Sequence, residues 1–137
     1  MALLMLDQGE EITLTALADL GLTLKLYKND YTPIDGSTEA NFTEADFSGY
    51  AAIAFTDSGD WAFTQDAPSY MVAAQQTFQA NDTIDPAQNM YGYYVVRTSD
   101  GAAIWAERFT NGPYGIAESG DYVKVTPKIS IYKSGES

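Results

Sequence analysis

Carboxylates are the only plentiful titratable side chains in this chain, and two arrangements of them have the makings of chemistry. Two of Asp57, Asp60, Asp66 and Glu107, facing a groove beside Trp61 or Trp105, would form a glycosidase-like pair, with one carboxyl as proton donor and the other as base or nucleophile. Asp57, Ser58 and Asp60, or Asn81, Asp82 and Asp85, would offer oxygen ligands to calcium. Neither calcium segment matches the EF-hand loop, and the carboxylate spacing carries no hydrolase signature. Aspartate is common in the turns of β proteins for conformational reasons alone. No catalytic residue, metal or cofactor is therefore assigned.

Histidine and cysteine are absent throughout, which removes the groups that most often do acid/base, nucleophilic and transition-metal work near neutral pH. Binding or assembly is expected before catalysis, and the chain is read as a non-enzyme. From Asn29 to Val96 there is no lysine or arginine either, while ten carboxylates fall in that stretch. With 7 basic and 19 acidic residues the net charge is −12, which opposes contact with phosphates, so DNA and RNA are not expected partners. The seven cations are Lys25, Lys28, Arg97, Arg108, Lys124, Lys128 and Lys133; if they gathered at one end, charge alone would orient the molecule on a partner.

The elements that must position these groups are mostly strands. At 137 residues with 45% hydrophobic content the chain fits one folded domain, 1–137, and no apolar run reaches the length needed to span a bilayer, so no membrane partner is expected. MALLML lacks a basic leader and meets Asp7 at once, unlike a signal peptide. Residues 1–20 are read as an N-terminal arm or short helix, with Gln8–Leu20 the one sizeable helical candidate and Ile12, Ala16 and Leu20 its apolar face. Leu22, Leu24 and Leu26 alternate with Thr23, Lys25 and Tyr27 as a half-buried strand. Thr43 and Asp46 predict one capped helical turn over Phe42–Phe47.

Ala51–Thr56 and Trp61–Gln65, joined by the Asp57–Asp60 turn, predict a hairpin. Met71–Ala80 is read as one longer strand with Val72, Ala74, Gln76 and Phe78 on one side. Tyr91–Thr98 is apolar on both faces and turns at Ser99–Gly101 into Ala102–Phe109, where Trp105 and Phe109 share one face and Ile104 and Arg108 the other. Val123, Val125, Ile129 and Ile131 share a face of the last strand, interrupted by Pro127; residues 133–137 are read as a flexible tail. Seven or eight strands at short spacing predict a mainly β, antiparallel β-sandwich of jelly-roll type. Its two-faced strand needs a second cover, from an attached loop or from another subunit. The second is favoured, as a homo-oligomer with Tyr91, Tyr93 and Tyr94 at the interface.

LTLKLYKNDYTP (Leu22–Pro33), ANFTEADFSGYAAIAFT (Ala40–Thr56), MYGYYVV (Met90–Val96), AAIWAERF (Ala102–Phe109) and GDYVKVTPKISI (Gly120–Ile131), in this order, resemble a family of small proteins encoded among phage virion structural genes. The resemblance implies a β-rich virion component, a capsid decoration or cement protein. Such a protein is made in the host cytoplasm, sits on the outer capsid surface as a homotrimer and has the major capsid protein as its partner. Shell contacts are then expected from Met1, Leu3, Leu4 and Leu6 and from the loop carrying Tyr31, Phe42 and Phe47. The rivals are a tail or baseplate adaptor or receptor-binding module, a carbohydrate-binding or carboxylate-dependent glycan-active protein, and an intracellular accessory protein.

Overall fold

Alternation of leucine with polar or mixed residues makes β1 (Leu22–Tyr27), and its three leucines are fully buried. The computed structural model describes residues 5–65 and 68–131. A helix, α1 (Asp7–Asp19), precedes β1. After it come β2 (Ile53–Phe55), β3 (Trp61–Thr64), β4 (Ser69–Ala73), β5 (Gln76–Gln79), β6 (Gln88–Met90) and β7 (Gly92–Arg97). The chain closes with β8 (Ala103–Arg108), β9 (Tyr114–Ile116), β10 (Tyr122–Val125) and β11 (Lys128–Ile131). The fold is mainly β with one N-terminal helix, and every strand pair is antiparallel.

The strands form a four-stranded sheet ordered β2-β1-β7-β8, a three-stranded sheet β11-β4-β3, and the pairs β10-β5 and β6-β9. Leu14 and Ala18 of α1, the β1 leucines, Met71, Phe78, Met90, Val95, Ile116 and Val123 meet in one continuous core, so the helix and every sheet contribute to it. Gly92 begins β7 where Tyr27 crosses closely: a Cβ there would stand 2.5 Å from the Tyr27 hydroxyl and collide with the Glu107 carbonyl.

Several pairings differ from the pattern read along the chain. β2 and β3 are not a hairpin; β2 joins β1 and β3 joins β4. The short 3-10 turn Ser58–Asp60 between them sends the chain from one sheet to the other. It is held by the Asp57 carboxylate on Gly59 N–H and the Asp60 carboxylate on Thr56 N–H, both 2.8 Å. The Met71–Ala80 segment breaks at Ala74–Gln75 into β4 and β5, and the buried side chains are Met71, Ala73, Phe78 and Ala80. Val123, Val125, Ile129 and Ile131 do share an inward face, but Pro127, itself buried, divides them between β10 and β11.

Phe42–Phe47 is not a helical turn. The capped turn lies just before it, over Glu39–Asn41, with Thr38 and Asn41 exchanging the capping-box bonds. Residues 43–45 instead run beside β1, through Lys28 N–H to the Thr43 carbonyl and Ala45 N–H to the Leu26 carbonyl. The β7–β8 hairpin is present, with a bulge opposite Val95 and Val96. The extra residue turns Ile104 inward beside Trp105 and Phe109, away from the face it was expected to share with Arg108.

The helix begins and ends near its expected bounds but buries the other side. Glu10, Leu14 and Ala18 face inward, with Ser69 Oγ 3.1 Å from a Glu10 carboxylate oxygen, while Ile12 is 68% and Leu20 50% exposed. The two stripes are offset by two residues, about 200° around the helix. Leu14, Leu17 and Ala18 occupy neighbouring i, i+3 and i+4 positions, a broader packing face than the single file of Ile12, Ala16 and Leu20. Leu14→Ala is therefore expected to lower unfolding free energy by about 2–5 kcal/mol, and Ile12→Ala by no more than about 0.5 kcal/mol, in urea denaturation.

Candidate functional site

Most of the described carboxylates with possible chemistry are engaged by the fold. Asp57 and Asp60 brace their own turn, whose Ser58 N–H also donates to the Asp19 carboxylate at 2.8 Å. Glu107 lies on β8 in the four-stranded sheet and accepts the Tyr93 hydroxyl at 3.1 Å. Asp66 lies outside the described residues. Trp61 is buried in the core against Phe55 and edge-on to Trp105, ring centres 5.8 Å apart, so it offers no platform to a sugar. Asn81 accepts the Ser48 hydroxyl and Asp82 caps Thr83 N–H. Among the described residues no three acidic side chains converge as a metal site.

The described cations are equally committed; Lys133 lies outside the described residues. Lys25 pairs with Glu44, Lys28 with Asp46, Arg97 with Asp100 and Arg108 with Asp30. Lys124 lies over the Tyr122 ring and Lys128 over Tyr70, 4.0 Å from its centre; Arg108 also covers Tyr91. Three of the four ion pairs draw their carboxylate from the cation-free stretch, so Lys25, Lys28 and Arg108 lie among its carboxylates rather than at an opposite end. Glu107 and Arg108 face opposite sides of β8 and meet different neighbours, as adjacent strand residues should. The Arg97 guanidinium holds the Asp100 carboxyl down at about 2, the Lys28 ammonium lowers Asp46, and Ala117 and Glu118 N–H groups lower Asp121.

The expected contact residues divide sharply. Tyr93 and Tyr94 are 3% and 4% exposed within a single chain and have no surface left for a second subunit. Their strand is covered from within: Phe42 stacks on Tyr94 with ring centres 4.6 Å apart, and Tyr27, Tyr31, Tyr91 and Val96 complete that patch. Tyr91 is half-buried under Arg108. Phe42 and Phe47, expected at the shell, are buried as well, and Tyr31 is half-buried with its ring edge-on to Phe42. Leu6 is exposed; Met1, Leu3 and Leu4 lie outside the described residues.

The outer side of α1 leaves Met5, Leu6, Ile12 and Leu20 in solvent; Leu6 was expected in a contact, whereas Ile12 and Leu20 were not. The signal was the same Ile12–Leu20 spacing, credited to the core. Among the described residues no helix is long and apolar enough to cross a membrane. Comparison of the chain with known protein families, with characterised proteins and with solved structures returned no match.

Burial pushes the hydroxyls of Tyr27, Tyr93 and Tyr94 up to about 12, and that of Tyr50, which donates to Glu44, higher still. Because the folded values exceed the unfolded value near 10, the unfolded chain loses these protons first. Their contribution to stability is complete below about pH 10 and is lost as pH rises through about 12. A tyrosinate absorbance titration should show Tyr27, Tyr50, Tyr93 and Tyr94 ionising only with alkaline unfolding; ionisation of all ten tyrosines before the fold is lost would contradict the burial.

Proposed function

We propose that the chain is a non-enzymatic phage capsid decoration protein that binds the outer surface of the shell through the exposed side of α1 and stabilises it by mass action. The observation that carries this reading is a helix apolar on two opposite sides. Leu14 and Ala18 serve the core, while Met5, Leu6, Ile12 and Leu20 stand outside it. A contiguous apolar surface of this kind marks an interaction site. The likeness to phage virion proteins supplies the partner, the major capsid protein. The commitment of the described cations and of most candidate carboxylates to internal contacts favours binding over catalysis. Trimerisation on the shell belongs to the same proposal, through surfaces other than Tyr93 and Tyr94, and would multiply weak contacts by symmetry.

The doubly substituted Ile12→Glu, Leu20→Glu protein tests this. Both side chains are exposed, so its thermal melting should match the parent within about 0.5 kcal/mol. Losing two apolar anchors, each worth about 1.5 kcal/mol or more when buried, should cut occupancy on purified particles at least about tenfold, read by quantitative mass spectrometry. Unchanged occupancy would remove α1 from the interface; absence of the parent protein from purified particles would end the virion reading.

A further inference from the structure

Between the Pro33–Ser37 loop and β8 lies a cavity of about 340 Å³. The bulge in β8 shapes its floor, which takes in all four residues from 103 to 106: Ile104 and Trp105 pack against the main core, and Ala103 and Ala106, on the side of the Tyr94 patch, add only methyl groups. Phe42, Pro33 and Ile34 wall the space left above them. A volume of this size lies at the small end for ligand sites and suits one long side chain.

The polar lining narrows what can enter. The Ser37 hydroxyl is already bonded to Tyr31 Oη and accepts Ile34 N–H at 2.9 Å. Asp35 is the one charged group in the lining, and among the described residues it has no ion-pair partner, since Lys25, Lys28, Arg97 and Arg108 are paired elsewhere. An anion would meet this carboxylate and a net charge of −12. A neutral apolar guest would desolvate the carboxylate without compensation. At the rim, Ile34 is 71% exposed and gives a polypeptide further apolar surface to cover, which a free amine does not need.

We propose that this cavity receives a lysine or arginine side chain of a protein partner, its alkyl stem against Phe42, Ala103 and Ala106 and its charge at Asp35. The site stands independently of whether that partner is a capsid. Isotope-labelled protein should be titrated with a blocked peptide, acetyl-Gly-Ala-Lys-Ala-Gly-amide, with the same peptide carrying norleucine for lysine, and with n-butylammonium, following the Ile34, Asp35 and Ala106 amides and the two indole N–H signals. The lysine peptide is expected to shift the three amides saturably and to leave the indole of core Trp61 in place. The norleucine peptide and the Asp35→Asn protein should each bind about threefold to fivefold more weakly. Ala106→Leu should abolish the shifts by filling the floor. Equal binding of the norleucine peptide, or no effect of Asp35→Asn, would overturn the proposal. So would saturation by n-butylammonium with no entry of the lysine peptide, which would make this a site for free amines. Asp35 is exposed on a loop, so its variant keeps the test decisive even if Ala106→Leu does not fold.

Discussion

The structure depends on β7 being covered on both faces by its own chain. One face joins the main core through Tyr93 and Val95; the other carries Tyr94 and Val96 and would face water but for the segment from Lys28 to Phe47, which lays Phe42 flat on Tyr94. Polar contacts pin that segment: the Asn29 side chain bridges the Asn41 carbonyl and the Thr43 N–H, Ala45 N–H reaches the Leu26 carbonyl, and Lys28, Lys25 and Arg108 pair with Asp46, Glu44 and Asp30. Exposed ion pairs contribute about 0–1 kcal/mol each, whereas a buried aromatic contributes about 1.5–3 kcal/mol. The aromatic patch therefore supplies the energy, and the ion pairs set where along the sheet the segment lies.

This division explains how an acidic chain folds with so few cations. Each cation in an ion pair sits where it closes a contact between segments far apart in sequence or braces a local turn, as Arg97 does with Asp100. Several carboxylates without a cation are put to another use, as acceptors for backbone N–H groups: Asp121 takes Ala117 and Glu118, Asp60 takes Thr56, and Glu39 takes Ala103 at the start of edge strand β8. That last bond also occupies part of an open sheet edge that would otherwise invite pairing.

Period-two alternation made β1, β7 and the inward face of β10 and β11 legible, because that signal is local and follows directly from the pleat. Strand partners were not legible. The Asp57–Asp60 segment reads as a hairpin turn by composition, yet what decides its course is Asp19, 39 residues earlier, receiving Ser58 N–H. The helix was legible in extent but not in orientation, since Ile12, Ala16, Leu20 and Glu10, Leu14, Ala18 are both i, i+4 rows and a buried glutamate is a poor signal of the inner one. Among the candidate site residues, Phe42 and Phe47 were expected at the shell because an aromatic in a polar loop reads as an exposed anchor; the surface they meet is instead the chain's own core, which no local pattern shows.

Strand β7 and helix α1 pose the same problem, an element apolar on two sides, and the chain answers it differently in each case. For β7 the solution is at hand because the segment following β1 must pass over that sheet on its way to β2, and it carries Tyr31, Phe42 and the charges that anchor it. Helix α1 lies on β3, β4 and the turn at Ser58–Asp60, and among the described residues no loop returns over its outer side. Self-pairing of two such helices is opposed by their charge, since Glu11 and Asp19 are exposed and the helix carries no basic residue. The demand for a second cover therefore moves from the tyrosines of β7, where the residue pattern alone placed it, to the N-terminal helix, and it calls for a surface of different composition rather than another copy of the same helix.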